Sequence, residues 1–426
     1  MNIFKNPERK EWETILRRPE TDLSDICEKT EAIIEEVINS GDEALRKYTR
    51  LFDGADLDIF ALSPEELKEA GNGIGENLKA AISEAYSNIW DFHMLQVGDP
   101  PPMERFPGVR CWQKSIPIQS VGLYIPGGTA PLLSTVLMLG IPARIAGCRE
   151  IVLCTPPGKD GTINPAVLYT ASLLEINKIY KLGGAQAIAA MAYGTETIPR
   201  VNKIFGPGNL YVTTAKLLVS KNKTAIDMPA GPSEVAIIAD ASCNPEFIAA
   251  DLLSQAEHGP DSQVMLFIQD ETVVDKILKE LQYQTEKLPR KEVAGAALRN
   301  SAIIVVDHRD ELIEMVNLYA PEHLIIATAD YREISERIVN AGSVFLGSYT
   351  PESAGDYASG TNHTLPTNGW AHSYGGLNVD SFVKKITFQE ITEEGLMRIG
   401  KTIMTLAEAE ELDGHRNAVY VRMRKK

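Results

Sequence analysis

From Gly108 to Leu346 the chain alternates short apolar runs with stretches of helical period, and that alternation leaves few folds open. Ile151-Val-Leu-Cys154 reads as a buried strand closed by Thr155-Pro-Pro157. A helical stretch follows at 164–175, then a strand from Ile179 to Leu182 that ends in Gly183-Gly184. Ala185 to Tyr193 is helical, and Val201-Asn-Lys-Ile-Phe205 runs into Gly206-Pro-Gly-Asn209. Strands separated by helices of this length predict parallel βαβ units. The alternation then restarts with candidate strands Val235–Ile238, Val264–Ile268, Ala302–Val306, Leu324–Ala327 and Val344–Leu346. Helical patterns fill the gaps at 245–257, 271–288, 310–319 and 331–340. Two successive sets predict an α/β protein with two sheets, although no residue-level repeat proves a duplication.

Four regions follow from this reading. Residues 1–110 form a mostly helical region expected to pack on the second α/β domain. Residues 111–232 and 233–380 are the two α/β domains. Residues 381–426 read as a helical, charged tail, too short for a core of its own. Such a tail must pack on its own body or on another subunit. No residue from Val121 to Ala143 is charged, but Pro126, Gly127, Gly128, Pro131 and Pro142 interrupt the run. Those breakers favour a buried core segment over a membrane helix.

The formal charge of −16, from 58 acidic against 42 basic side chains, disfavours nucleic acid or an anionic membrane as partner. It suits a cationic small molecule. The five cysteines, at 27, 111, 148, 154 and 243, form no CxxC, so neither a disulfide framework nor a thiolate zinc site is indicated. Cys111, Cys148 and Cys154 have no neighbouring His or Lys to activate them, which favours inert packing. The opening residues lack the apolar stretch of a signal peptide, and a cytoplasmic setting is expected.

Four segments gather side chains that bind metals or move protons: Gln255-Ala-Glu-His258, Pro321-Glu-His323, Gly355-Asp356 with His363, and Glu410 with Gly414-His415. They hold four of the seven histidines. Gln255 and His258 share a face if their stretch is helical. Asp356 is read within a Gly/Ser loop where backbone can approach a ligand. Imidazole with carboxylate and amide oxygen suits zinc or a similar divalent ion. Each segment alone has a plainer reading: a loop-closing pair for Glu322 and His323, an exposed helix end for Gln255 and His258, a turn former for Asp356, a helix-terminal ring for His415. His93, His308 and His372 are taken as structural or surface groups. No G-x-G-x-x-G occurs. Gly127-Gly128 and Gly206-Pro-Gly208, each after a strand, are the candidates for close approach to a cofactor.

Taken together, these motifs resemble histidinol dehydrogenases over essentially the full length. The matching stretches are Val121-Gly-Leu-Tyr-Ile-Pro-Gly-Gly128, Gly183-Gly-Ala-Gln-Ala187, Gly206-Pro-Gly-Asn209 and Met228-Pro-Ala-Gly-Pro-Ser-Glu234. Ser254–His258, Ala320–His323, Gly355–Gly360, Asn362-His363 and Glu410 through Arg416 continue the match in the same order. The resemblance implies zinc held by Gln255, His258, Asp356 and His415, and an acid–base pair of Glu322 and His323. It implies substrate contacts from Ser233, His363 and Glu410 besides those groups. NAD contacts fall on Tyr124, Gln186 and Asn209, which makes 111–232 the NAD-binding domain. An intertwined homodimer with two incomplete Rossmann-like domains is implied as well, the tail completing the partner's site.

The implied reaction is the four-electron oxidation of L-histidinol to L-histidine through histidinal, with two NAD. A metal-dependent hydrolase using Glu322 as base is a rival reading, and it predicts no absorbance change when NAD meets substrate. A metal-binding protein without turnover is another, and it would bind zinc but neither NAD nor histidinol.

Overall fold

The computed structural model describes residues 1–19, 24–127, 131–222 and 224–424, and Gly128 of the Gly127-Gly128 pair lies outside them. Two parallel sheets form the body, as the alternation predicts. In the first, five strands lie in the order Lys178–Lys181, Glu150–Thr155, Ser120–Tyr124, Lys203–Phe205, Ala225–Ile226. Chain order reverses between Ser120–Tyr124 and Lys203–Phe205, which opens a crevice beyond their carboxyl ends. The second sheet has six strands: Asn2–Lys5, Ala302–Val305, Gln263–Ile268, Glu234–Ala239, His323–Ala327, Ser343–Leu346. Its central strand Glu234–Ala239 is buried throughout, as expected of a parallel strand covered on both faces.

The charge-free run from Val121 to Ala143 resolves into the end of a buried strand and most of the helix Leu133–Ala146. Its residues from Ser134 to Ala143 are all buried, so the helix serves as core between the layers. No described helix is long and apolar enough to cross a membrane.

Three expectations need correction. The N-terminal region packs chiefly on the first α/β unit, not the second: Ile33, Val37, Leu45, Tyr48 and Phe60 share a core with Tyr124, Val152 and Ile188. Ala85 and Ile89 from the helix Glu76–Met94 join the other face of the same sheet. The first residues reach the second unit, where Asn2–Lys5 adds an edge strand beside Ala302–Val305 and Trp12 and Leu16 fill its core, and Asn88 donates to the Ala358 carbonyl at 2.8 Å. The apolar stripe of Ser24–Ser40 is matched by a helical layer on the first sheet, and that contact decides the packing.

The tail is the second correction. Before its helices Glu393–Ala409 and Asp413–Met423 it forms a nine-residue strand, Val383–Ile391. That strand pairs antiparallel with Val109–Pro117, which also pairs with Met103–Phe106. Trp112 stacks on Phe388 across this small sheet, 5.4 Å between centroids. Asp356 is the third correction: it sits in a helix, Glu352–Tyr357, and not in a loop.

Candidate active site

The first sheet presents its carboxyl ends and the second its amino ends to one shared cleft of about 340 Å³. Tyr124, Pro207, Gly208 and Asn209 line it from the first unit. Ser233, Gln255, His258, Glu322, His323, Glu352, Asp356 and His363 line it from the second. Segments more than a hundred residues apart therefore supply one site.

Local structure explains most placements. Gly206 has φ +126°, and a side chain there would meet the Tyr124 carbonyl oxygen at 2.1 Å, so only glycine fits. Its carbonyl accepts from Lys216 Nζ at 2.8 Å and its N–H donates to Asp227 Oδ2 at 2.8 Å. Lys216 and Asp227 are themselves a buried pair 2.5 Å apart, and together they pin the loop. Asn209 then caps the helix Leu210–Ser220, its Oδ1 accepting from Val212 N at 3.1 Å. A capped helix N-terminus thus opens beside the cleft, a setting that favours anions. Tyr124 is buried, its hydroxyl accepting from Gly184 N at 3.1 Å, and burial pushes its phenol up to about 12.

Glu322 and His323 stand where a strand of the second sheet begins. Glu322 Oε2 accepts from Glu234 N at 2.9 Å. The Glu234 carboxylate is neutralised in turn by Arg18, 2.5 Å away, whose guanidinium also donates to the Tyr319 carbonyl at 2.6 Å. Burial lifts the Glu322 carboxyl to about 8, so it holds a proton near neutrality. His323 Nδ1 lies 3.6 Å from Glu322 and 3.9 Å from Glu352, while Nε2 lies 3.7 Å from Asp356. Burial works against a charged ring, but Glu352, Glu322 and Asp356 outweigh it and raise His323 to about 10. His323 Nε2 is buried with no hydrogen-bond partner.

His363 donates from Nδ1 to the Asp356 carbonyl at 3.0 Å, which leaves Nε2 as an acceptor 3.5 Å from Thr135 Oγ1. Its neighbour Asn362 donates to the Met138 carbonyl at 2.7 Å and toward His93 Nε2 at 3.3 Å. His93 is buried and bonded to the Ile89 carbonyl, so its structural assignment agrees with its surroundings. Burial also raises the Cys148 thiol to about 12 and Cys243 to about 11, in keeping with inert packing. All five cysteines are free.

A group overlooked in the sequence, Glu352, belongs to the site. Donor atoms of His258, Glu352 and Asp356 lie within 4.8 Å of one another. No lysine or arginine lines the cleft among the described residues, so a divalent cation fits this set of carboxylates and imidazoles. Gln255 reports on the same need. With its nitrogen toward Glu352 it donates to Oε2 at 3.1 Å, and its oxygen accepts from Glu234 N at 3.3 Å. Turned the other way, its oxygen faces Glu352, an arrangement that a shared cation or a proton on that carboxyl would favour.

Three expected residues are not brought into the cleft. Gln186 is fully buried in the helix Gly184–Tyr193 with both amide atoms unpartnered. Glu410 and His415 are exposed on the tail and do not line this chain's cleft.

Asp251 stands one turn before Gln255 on the helix Pro245–Ala256, and burial lifts its carboxyl to about 7. An unfolded aspartate releases its proton near pH 4, so the folded chain binds the more protons between about pH 4 and 7. Stability is therefore lost as pH rises through that window. Asp251→Asn should raise the melting temperature clearly at about pH 8 and much less at about pH 5. Scanning calorimetry at both values checks this, and equal shifts would count against it.

Two parallel sheets closing on a cleft of buried proton carriers, beside a cluster able to hold a cation, define an α/β enzyme. The comparisons narrow it: the family model for histidinol dehydrogenase matches residues 16–423. Histidinol dehydrogenase of Bacteroides thetaiotaomicron is 55% identical over 99% of this chain and 99% of its own. That of Bacteroides fragilis is 54% identical with the same coverage. The crystal structure of histidinol dehydrogenase from Elizabethkingia anophelis superposes with a TM-score of 0.97 at 52% identity, covering 99% of this chain and 98% of that one. The chain belongs to the histidinol dehydrogenase family, and it is an oxidoreductase.

Proposed function

We propose that this protein oxidises L-histidinol to L-histidine through L-histidinal in a zinc-dependent, NAD-linked reaction of histidine biosynthesis, as a cytoplasmic homodimer. The observation that carries the reading is the buried Glu322–His323 pair beside the His258, Glu352 and Asp356 cluster in one cleft. A primary alcohol is far too weak an acid to lose its proton unaided at neutral pH, so the first step needs a base within reach. His323 takes that role, its Nε2 carrying no other hydrogen bond. The alcohol loses a hydride and a proton, giving aldehyde, NADH and H⁺. The second oxidation consumes water as well, giving carboxylate, NADH and protons. Glu322 is the group for that water, because burial holds its carboxyl close to neutral and lets it exchange protons in either direction.

Gln255, His258, Asp356 and the tail's His415 are the proposed zinc ligands, with Glu352 beside them. Zinc there would fix the substrate's imidazole and amino nitrogens and offset the carboxylates that keep a proton on His323. Ser233 and His363 line the space left for the amino alcohol, and Glu410 suits its positive charge. Tyr124, Asn209 and the capped helix beyond it would receive NAD, Gln186 lying behind Tyr124 as a buried amide with free valences. The exposed tail supports the homodimer, since neither Glu410 nor His415 serves its own cleft.

The deciding experiment follows NADH absorbance with histidinol, before chelation, after it, and after zinc is returned. Activity lost on chelation and regained with zinc is expected, and no NADH from histidinol at all would overturn the reading. The metal assignment has its own test. His258→Ala and Asp356→Ala should each weaken zinc binding by at least the roughly 10- to 100-fold seen when only a ligand's support is lost. Chelator competition measures it, and undiminished stoichiometric zinc in both proteins would remove the assignment.

A further inference from the structure

A second hollow, about 580 Å³, abuts the active-site cleft, the two sharing Pro126 and Gly127 as lining. It lies beyond the carboxyl end of Glu150–Thr155, the strand next to Ser120–Tyr124 in the first sheet. In doubly wound nucleotide-binding sheets, an acid near the end of this second strand commonly accepts hydrogen bonds from the adenosine ribose. Here the strand runs out into Thr155-Pro156-Pro157-Gly158, which offers no carboxylate. An acid arrives from elsewhere. Asp53, at the end of the helical turn Thr49–Asp53 in the N-terminal region, lines the hollow.

Its carboxylate has no job within the fold. Asp53 Oδ2 is buried and without a hydrogen-bond partner, and no salt bridge joins Asp53 to another described residue. Burial alone lifts its carboxyl to about 6, the mark of an acid that the surrounding protein does not satisfy. A buried acceptor left unpaired costs stability, so its presence at the rim of an empty hollow calls for a donor from outside. The hollow meets the cleft at Pro126–Gly127, where backbone packing is tight: a side chain on Gly127 would meet Pro156 Cγ at 2.3 Å. A ligand spanning both spaces would run across that point.

We propose that Asp53 accepts the hydroxyls of the adenosine ribose of the dinucleotide, and that it sets the preference for NAD over NADP. The inference rests on the NAD-linked reading above. Two O–H groups donating to one carboxylate satisfy it, whereas a 2′-phosphate brings a second negative charge to a half-buried acid. Lys159 lines the same hollow and is exposed, so it is the group that would otherwise welcome that phosphate. Asp53 is the less exposed of the two, so its charge is the less screened by solvent.

Titration calorimetry of the intact protein with NAD, NADP and 2′-deoxyadenosine NAD tests this. Asp53→Asn should weaken NAD binding by about 10- to 100-fold, the range for a lost charge-assisted hydrogen bond, while NADP affinity holds or rises. Removal of the ribose 2′-hydroxyl should cost the wild type much and Asp53→Asn little, because the two changes delete the same contact. The melting temperature of free Asp53→Asn should not fall, since an unsatisfied charge has been removed, and Asp53→Ala provides a second variant should the amide pack badly. An Asp53→Asn protein that keeps wild-type NAD affinity and the wild-type preference overturns the inference while the NAD-linked reading stands. A wild-type protein that binds none of the three overturns both.

Discussion

Replacing His323 with alanine should slow NADH formation from histidinol by about 10²–10⁴, the range for a lost general base. The ring sits at the start of its strand with Nδ1 between Glu322 and Glu352 and Nε2 toward Asp356, a placement that no other ring in the cleft shares. Glu322→Gln should give a different signature. Supplied histidinal should be oxidised far more slowly, while the alcohol step is affected less, because only the second step needs water activated. Single-turnover measurement of each half-reaction separates the two. Equal losses in both half-reactions for Glu322→Gln would end the division of labour. The amide keeps the size of the acid but cannot hold and release the proton that burial keeps on Glu322 up to about pH 8.

How far the sequence revealed this arrangement depends on the range of the interactions involved. Strands of the two sheets were legible because parallel, doubly covered strands read as apolar runs bounded by turn residues. Val383–Ile391 was not. Its residues are mostly exposed in this chain, and its partner Val109–Pro117 lies far away in sequence, so no local pattern marks it. Asn2–Lys5 is similar, an edge strand of four residues joined to Ala302–Val305, far away in sequence. Glu322 and His323 were legible as adjacent proton carriers. Glu352 could have been found from Asp356, since four residues on a helix put both on one face. The intervening glycine and the Ser/Gly run that follows made that helix look like a loop. Packing of the N-terminal helices could not be read, because an amphipathic stripe states that a face is buried but not against which sheet.

The last expected result concerns the tail. Glu410 closes one helix and His415 opens the next, and both are exposed, away from the cleft of their own chain. The same region exposes Leu406 at 61%, Leu412 at 42% and Tyr420 at 49%, an apolar surface that invites cover from another molecule. If that molecule is a second copy, twofold symmetry lets each tail deliver its His415 to the other's His258. A mixed dimer reads this directly. Neither His258→Ala nor His415→Ala should turn over alone. In a purified heterodimer of the two, shared sites place both defects in one cleft and leave the other whole, so about half of wild-type activity should return if the sites act independently. Were both histidines of a site from one chain, each cleft would keep one defect and nothing would return. A correctly assembled but inactive heterodimer would therefore refute the exchange of tails, and it would leave the proposed zinc-binding role of His258 and Asp356 untouched.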